Sequence, residues 1–302
     1  MMEDYRTLIY DGGSYRFGEL AELLEDTGSY ILRREDTIVS TVAVMAVPSG
    51  DVRAIRRKAK EIGGVLTRAP LAGTEIAVVA PSPSGRHLPH PACDIAEFLR
   101  RNGAQTILIS LARGTGQEPM LDHGEVALIN ESDLAVFALG DSKVCLREKK
   151  GPMFENLRVP VVVAAGPKMR RPSYCTEYVG GLGRRAARMK GPEDLARLKE
   201  LVDAAERCVK DRKKELKWLP DVSIPALGQA IERELPEVKD ATSPSPIMNR
   251  IDGLRVKLDY ERYHERIAEV RYAGSRLGDL ADISRSVLKD QVLIRLRPRG
   301  VV

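Results

Sequence analysis

Four apolar runs constrain the fold of this chain more than any other feature: EIAVVAP (75–81), TILISLA (106–112), DLAVFALG (133–140) and VPVVVAAG (159–166). They begin about thirty residues apart or slightly less. Each is continuous rather than alternating, as expected of strands covered on both faces. Between the first two lies DIAEFLRRNGA, where Ile95, Phe98 and Leu99 recur at helical spacing and Gly103 stands where a helix ends. EVALINES supplies a shorter helix before the third run. Strand and helix alternating at this repeat predict an α/β fold built on a central parallel, doubly wound, Rossmann-like sheet.

The flanks read differently, as smaller α+β units at both ends. Residues 1–70 give a short strand, the helix FGELAELLED, the strand TIVSTVAVMAV and the helix DVRAIRRKAKEIGG. Residues 71–190 hold the Rossmann-like core. Residues 191–240 hold a long helix, with Leu195, Leu198, Val202, Ala205 and Val209 down one side, and a connector. Residues 241–302 form a C-terminal α+β unit of short strands around small helices.

Length and composition narrow the class. With 302 residues, 43% hydrophobic and 30% charged, the chain can bury a core and is no disordered segment. No apolar run reaches the eighteen or so residues needed to span a bilayer, and the acidic start MMEDYRT is unlike a signal peptide. These features predict a cytoplasmic protein with no membrane partner. The 48 basic and 43 acidic residues are interspersed and aromatics make up only 5%, which disfavours nucleic acid. Four widely spaced cysteines suit free thiols, redox groups or metal ligands rather than a disulfide framework.

In open parallel sheets, ligands bind beyond the carboxyl ends of the strands. There the sequence places RHLPHPACD (86–94) with His87, His90 and Cys93; RGTGQ with Arg113; DSKVC with Cys145; and PKMRRPSYC with Cys175. Three of the four cysteines are therefore expected on one rim, while Cys208 falls inside the long helix and reads as core. Pro91 suits a first helical turn, which sets Cys93 beside unpaired amides that favour a thiolate, the form that binds iron or zinc. His90 is near enough to act as a second ligand. The plain alternative is that each thiol is a small buried apolar group and the histidines belong to a proline-rich turn. The HxxHxxC spacing is no zinc-finger pattern, and three thiolates do not complete a four-cysteine cubane without a histidine or a partner chain. No P-loop and no nucleophilic triad is present, so no catalytic residues are assigned. ARGTG and VGGLGRR, with Arg184 and Arg185, fit tight turns or anion cradles.

The stretch PLAGTEIAVVAPSPSGRHLPHPACDIAEFLRRNGA (70–104), with INESDLAVFALG (129–140) and SPSPIMNRIDGLRVKL (243–258), resembles the methanogenesis marker protein seven family of methanogenic archaea. The resemblance covers nearly the full length and is most specific in 70–104. It implies a non-catalytic, iron–sulfur-cluster-binding subunit for electron transfer and scaffolding. Its setting would be the ATP-dependent complex that reductively activates the nickel cofactor of methyl-coenzyme M reductase. The implied partners are other methanogenesis marker proteins, the small reductase-operon protein, an ATP-hydrolysing component and the reductase itself. The implied cofactor is an iron–sulfur cluster of unspecified type, large enough to be shared with partner chains. Cys93 lies in the matching stretch. Cys145, Cys175 and His90 join it as metal ligands on the rim argument, with Arg113 as a charge-compensating neighbour. Two other readings compete: a cluster-free adaptor in the same complex, and a Rossmann-like enzyme using a nucleotide or coenzyme at the glycine turns.

Overall fold

The computed structural model describes residues 5–80, 91–111, 120–183, 188–216, 222–240 and 245–297. The chain divides into two compact units, Met1–Gly73 with Trp218–Val302, and Thr74–Lys217. Both ends of the chain thus belong to one unit.

The first part of that unit runs β1 (Tyr5–Gly13), α1 (Phe17–Asp26), β2 (Tyr30–Asp36), β3 (Ser40–Pro48), α2 (Val52–Glu61) and β4 (Val65–Arg68). The strands form an antiparallel sheet in the order β2-β3-β1-β4. Strand alternation sends Leu8, Tyr10, Ala43, Met45 and Val47 to one face, where Phe17, Leu20 and Leu24 of α1 and Ile55 and Ala59 of α2 close over them. Tyr10 and Phe17 meet at 5.3 Å between ring centroids.

The central unit carries β5 (Glu75–Ala80), α3 (Pro91–Arg101), β6 (Gln105–Ser110), α4 (His123–Asn130), β7 (Leu134–Ala138), α5 (Lys143–Glu148), β8 (Val161–Ala165), β9 (Glu177–Gly180) and α6 (Pro192–Glu215). Its five strands pair in the order β6-β5-β7-β8-β9, every pair parallel. Counted within the sheet, that is the doubly wound order 2-1-3-4-5. The expected Rossmann-like α/β sheet is present. Each residue of β5, β7 and β8 is buried, which is why the apolar runs do not alternate. One parity (Ala77, Val79, Ala135, Phe137, Val163) packs with Ile129, Leu146, Met153 and Phe154 from α4, α5 and the turn that follows. The other faces α3 and α6, which lie over β5 to β9. In α6, Leu198, Val202, Ala205 and Val209 are buried. Leu195, at its start, is 40% exposed, so the expected stripe begins one turn later.

Asp133 links β5 to β7 at their amino ends. Its carboxylate accepts the Glu75 backbone N–H at 2.8 Å, and its own N–H donates to the Glu75 carbonyl at 2.8 Å. Removing this hydrogen bond to a charged acceptor costs about 1.5–3 kcal/mol. Asp133→Ala is therefore expected to lower the urea midpoint without changing the denaturant slope, read by equilibrium unfolding.

The chain then returns to the first unit with α7 (Ile224–Glu234), β10 (Ile247–Asn249), β11 (Gly253–Val256), α8 (Tyr260–Glu269), β12 (Arg271–Tyr272), β13 (Ser275–Arg276), α9 (Leu277–Leu280), β14 (Ala281–Arg285) and β15 (Val292–Leu296). Four of these strands form an antiparallel sheet, β10-β11-β15-β14. Its inner face, with Leu254, Val256, Val292 and Ile294, packs on Leu227 and Ile231 of α7 and Tyr263 and Ile267 of α8. Among the described residues no helix is long and apolar enough to cross a membrane.

Candidate functional site

The carboxyl edge of the parallel sheet collects loops from all five strands. Its switch point lies between β5 and β7, where connections leave to opposite sides and a crevice is expected. The loop after β5, with His87 and His90, lies outside the described residues, as do Arg113 after β6 and Arg184 and Arg185 after β9.

The first turn of α3 is described. Pro91 opens the helix, and Cys93 in that turn is exposed to solvent. Its neighbour Asp94 is 8% exposed and points inward. The Asp94 carboxylate accepts a hydrogen bond from Arg188 Nε and another from the Met189 backbone N–H at 3.0 Å. It therefore ties the chain after β9 to the start of α3.

Beyond β7, Ser142 caps α5 by accepting the Cys145 backbone N–H on its hydroxyl at 3.3 Å, and Cys145 is half-buried. Asp141 lies against two glycines from the neighbouring loops. A Cβ on Gly183 would sit 1.7 Å from Asp141 Oδ1 and 2.7 Å from the Gly166 Cα; one on Gly166 would sit 1.8 Å from the same oxygen. The turns after β7, β8 and β9 thus close around one carboxylate at backbone distance, which no side chain larger than hydrogen permits.

Cys175 is elsewhere. It precedes β9, and the N–H of Thr176 donates to the Val161 carbonyl at 2.8 Å, at the start of β8. The segment after β8 has by then carried the chain back to the amino end of the sheet. Cys175 is 4% exposed in the apolar layer with Phe154 and Val161, and its thiol donates to the Pro172 carbonyl at 3.5 Å. Burial pushes the thiol up to about 11, against the opposing pull of Arg171. Cys208 is buried on α6, and burial pushes it up to about 12. The expectation that Cys93, Cys145 and Cys175 share one rim is therefore corrected at Cys175. The rim carries Cys93 and Cys145, and the other two thiols lie in the apolar layers on opposite faces. Among the described residues no three His, Cys, Asp or Glu side chains group as a metal site. Two soft donors are too few to hold a cluster alone, so any cluster here takes further ligands from outside the described residues or from another chain.

Sequence reasoning missed the Asp94 and Asp141 contacts, although VGGLGRR was noted as a turn. It also missed a cavity of about 380 Å³ in the first unit, beside β2 and β10. Arg33, Arg34, Gln229, Glu232 and Asn249 stand on its wall, and burial pushes the Glu232 carboxyl up. The volume lies in the ordinary ligand range, but no motif marks these residues.

The profile of a family described as methyl-coenzyme M reductase operon protein C matches residues 5–270. A protein of Methanocaldococcus jannaschii described as uncharacterized is 40% identical over 300 residues, covering 99% of this chain and 96% of its own. Among solved structures, a flavodoxin from the domain Archaea is 14% identical, with a TM-score of 0.27 over 46% of this chain and 99% of that one. The glutamyl-tRNA reductase from Methanopyrus kandleri is 11% identical, with a TM-score of 0.18 over 79% and 86%.

Proposed function

Because the chain belongs to the methyl-coenzyme M reductase operon protein C family, we propose that it is an accessory subunit of the reductase system, of the marker protein seven type. In this reading it acts in the cytoplasm with other marker proteins, the small reductase-operon protein and an ATP-hydrolysing component to activate the nickel cofactor reductively. Cys93 offers a thiolate to an iron–sulfur cluster, with Cys145 and His90 as further candidates and the remaining ligands supplied by a partner chain. Arg113 would balance cluster charge. The observation that supports this reading is the exposure of Cys93 in the first turn of α3, beside the switch point of a parallel sheet. A cluster shared between chains needs a donor at the surface.

The burial of Cys175 and Cys208 in separate layers favours the second reading, a cluster-free adaptor whose partners hold every cluster. Anaerobic co-purification of the tagged chain with its complex separates the two. Under the cluster reading, Cys93→Ser lowers iron and acid-labile sulfide per complex and abolishes reductase activation. Unchanged iron and unchanged activation would leave the adaptor.

A further inference from the structure

The sheet of the central unit ends in β6, whose outer side pairs with no strand among the described residues. Open edges are templates for another strand, and proteins ordinarily blunt them with charge, proline or a bulge. The edge strand β2 shows such protection: it carries Arg33, Arg34, Glu35 and Asp36, and its register shifts between Ile31 and Arg33. By contrast β6, QTILIS, has no charge and no proline, and its six residues pair with 75–80 without a break. Leu108, at its centre, is 51% exposed.

We propose that β6 is a homodimer interface, pairing antiparallel with β6 of a second copy about a two-fold axis through Leu108. The observation that selects a second copy over another partner is the symmetry of the strand itself. Thr106-Ile107-Leu108-Ile109-Ser110 reads alike in both directions by side-chain class. A two-fold contact must be self-complementary. Centred on Leu108, it sets leucine against leucine, Ile107 of each copy against Ile109 of the other, and Thr106 against Ser110. β-Branched and hydroxyl pairs of this kind stabilise antiparallel ladders, and no like charges meet. The helix α3 lies over β6 and would be brought beside its own copy. Glu97, Arg100 and Arg101 in its last turns are of mixed sign and already paired within the helix, so they bring no one-sign repulsion. The two five-stranded sheets would then continue as one sheet of ten strands.

The purified full chain at about 100 µM, where even a micromolar contact is occupied, is expected to show twice the chain mass by light scattering after size exclusion. Leu108→Lys sets two ammonium groups opposite each other at the axis, and the variant is expected to run at the single-chain mass with an unchanged far-UV spectrum. In a Cys93→Ser background, Leu108→Cys is expected to form an intermolecular disulfide on oxidation, because opposite Cβ atoms in an antiparallel pair approach bridging distance. Wild-type protein at the single-chain mass at that concentration overturns the proposal. So does a Leu108→Lys variant that stays dimeric, or a Leu108→Cys variant that does not cross-link within a dimer.

Discussion

Gly253→Ala is expected to destabilise the first unit by about 2–6 kcal/mol, the largest effect of any single substitution argued from this structure. Gly253 opens β11 at φ +155°, a conformation that L side chains rarely adopt, which alone costs about 1–3 kcal/mol. A Cβ there would lie 2.1 Å from the Ile294 carbonyl oxygen, 3.0 Å from the Ile294 carbonyl carbon and 3.2 Å from the Arg295 Cα. All three atoms belong to the backbone of β15, which pairs β11 on one side and β14 on the other. That strand cannot retreat without breaking the register of Gly253 with Arg295 and of Leu254 with Ile294. Overpacking against a fixed wall adds a further 1–3 kcal/mol or so. Set against a total stability of about 5–15 kcal/mol, the loss is large. Equilibrium denaturation should show it as a lower midpoint or a separate early transition. A change within about 0.5 kcal/mol, the range of an ordinary surface substitution, would mean that the backbone at 253 is not the one described.

The strands that could be read in advance are those whose burial leaves a local trace. β5, β7 and β8 are buried throughout, so their apolar runs appear directly in the sequence. β9 leaves no such trace. It is four residues, Glu177–Gly180, at the sheet edge, half-buried, and it exists through its parallel register with β8. Missing β9 also misplaced Cys175. A cysteine ten residues past Ala165 looks like part of a carboxyl-edge loop until the next strand is seen to start two residues later. The contacts that shape the rim are likewise invisible locally, since Asp94 meets Arg188 and Met189 across more than ninety positions. Cys93 could be read because its signal is local: Pro91 at the first helical position fixes the turn that carries it. The joining of both chain ends in one unit has no local signature either, since it depends on packing between segments far apart in sequence.

Alkylation of the native protein at pH 8 is expected to divide the four thiols sharply. Cys93, exposed on α3, should react first, and half-buried Cys145 more slowly. Cys175 and Cys208 should react only through opening of the fold, at least about a thousandfold slower, following the equilibrium constant for unfolding. Their chemistry adds to their burial. With thiols held up to about 11 and about 12 by desolvation, little of either is thiolate at pH 8, and thiolate is the nucleophile. The same shifts predict alkaline sensitivity with a definite sign. Between the ordinary thiol value of 9.0 and about 11 for Cys175, or about 12 for Cys208, the folded chain holds protons that the unfolded chain releases. Stability therefore falls as pH rises through that window, and Cys208→Ala should remove part of the slope. Quantitative mass spectrometry of each cysteine peptide gives all four rates in one experiment. If Cys175 labels as fast as Cys93, its sulfur is at the surface, and a single chain could present three thiols. If the rates divide as expected, a cluster held here draws the rest of its ligands from His90 or from a second chain, and ligand-completing cysteines should be sought on whichever partner covers Cys93.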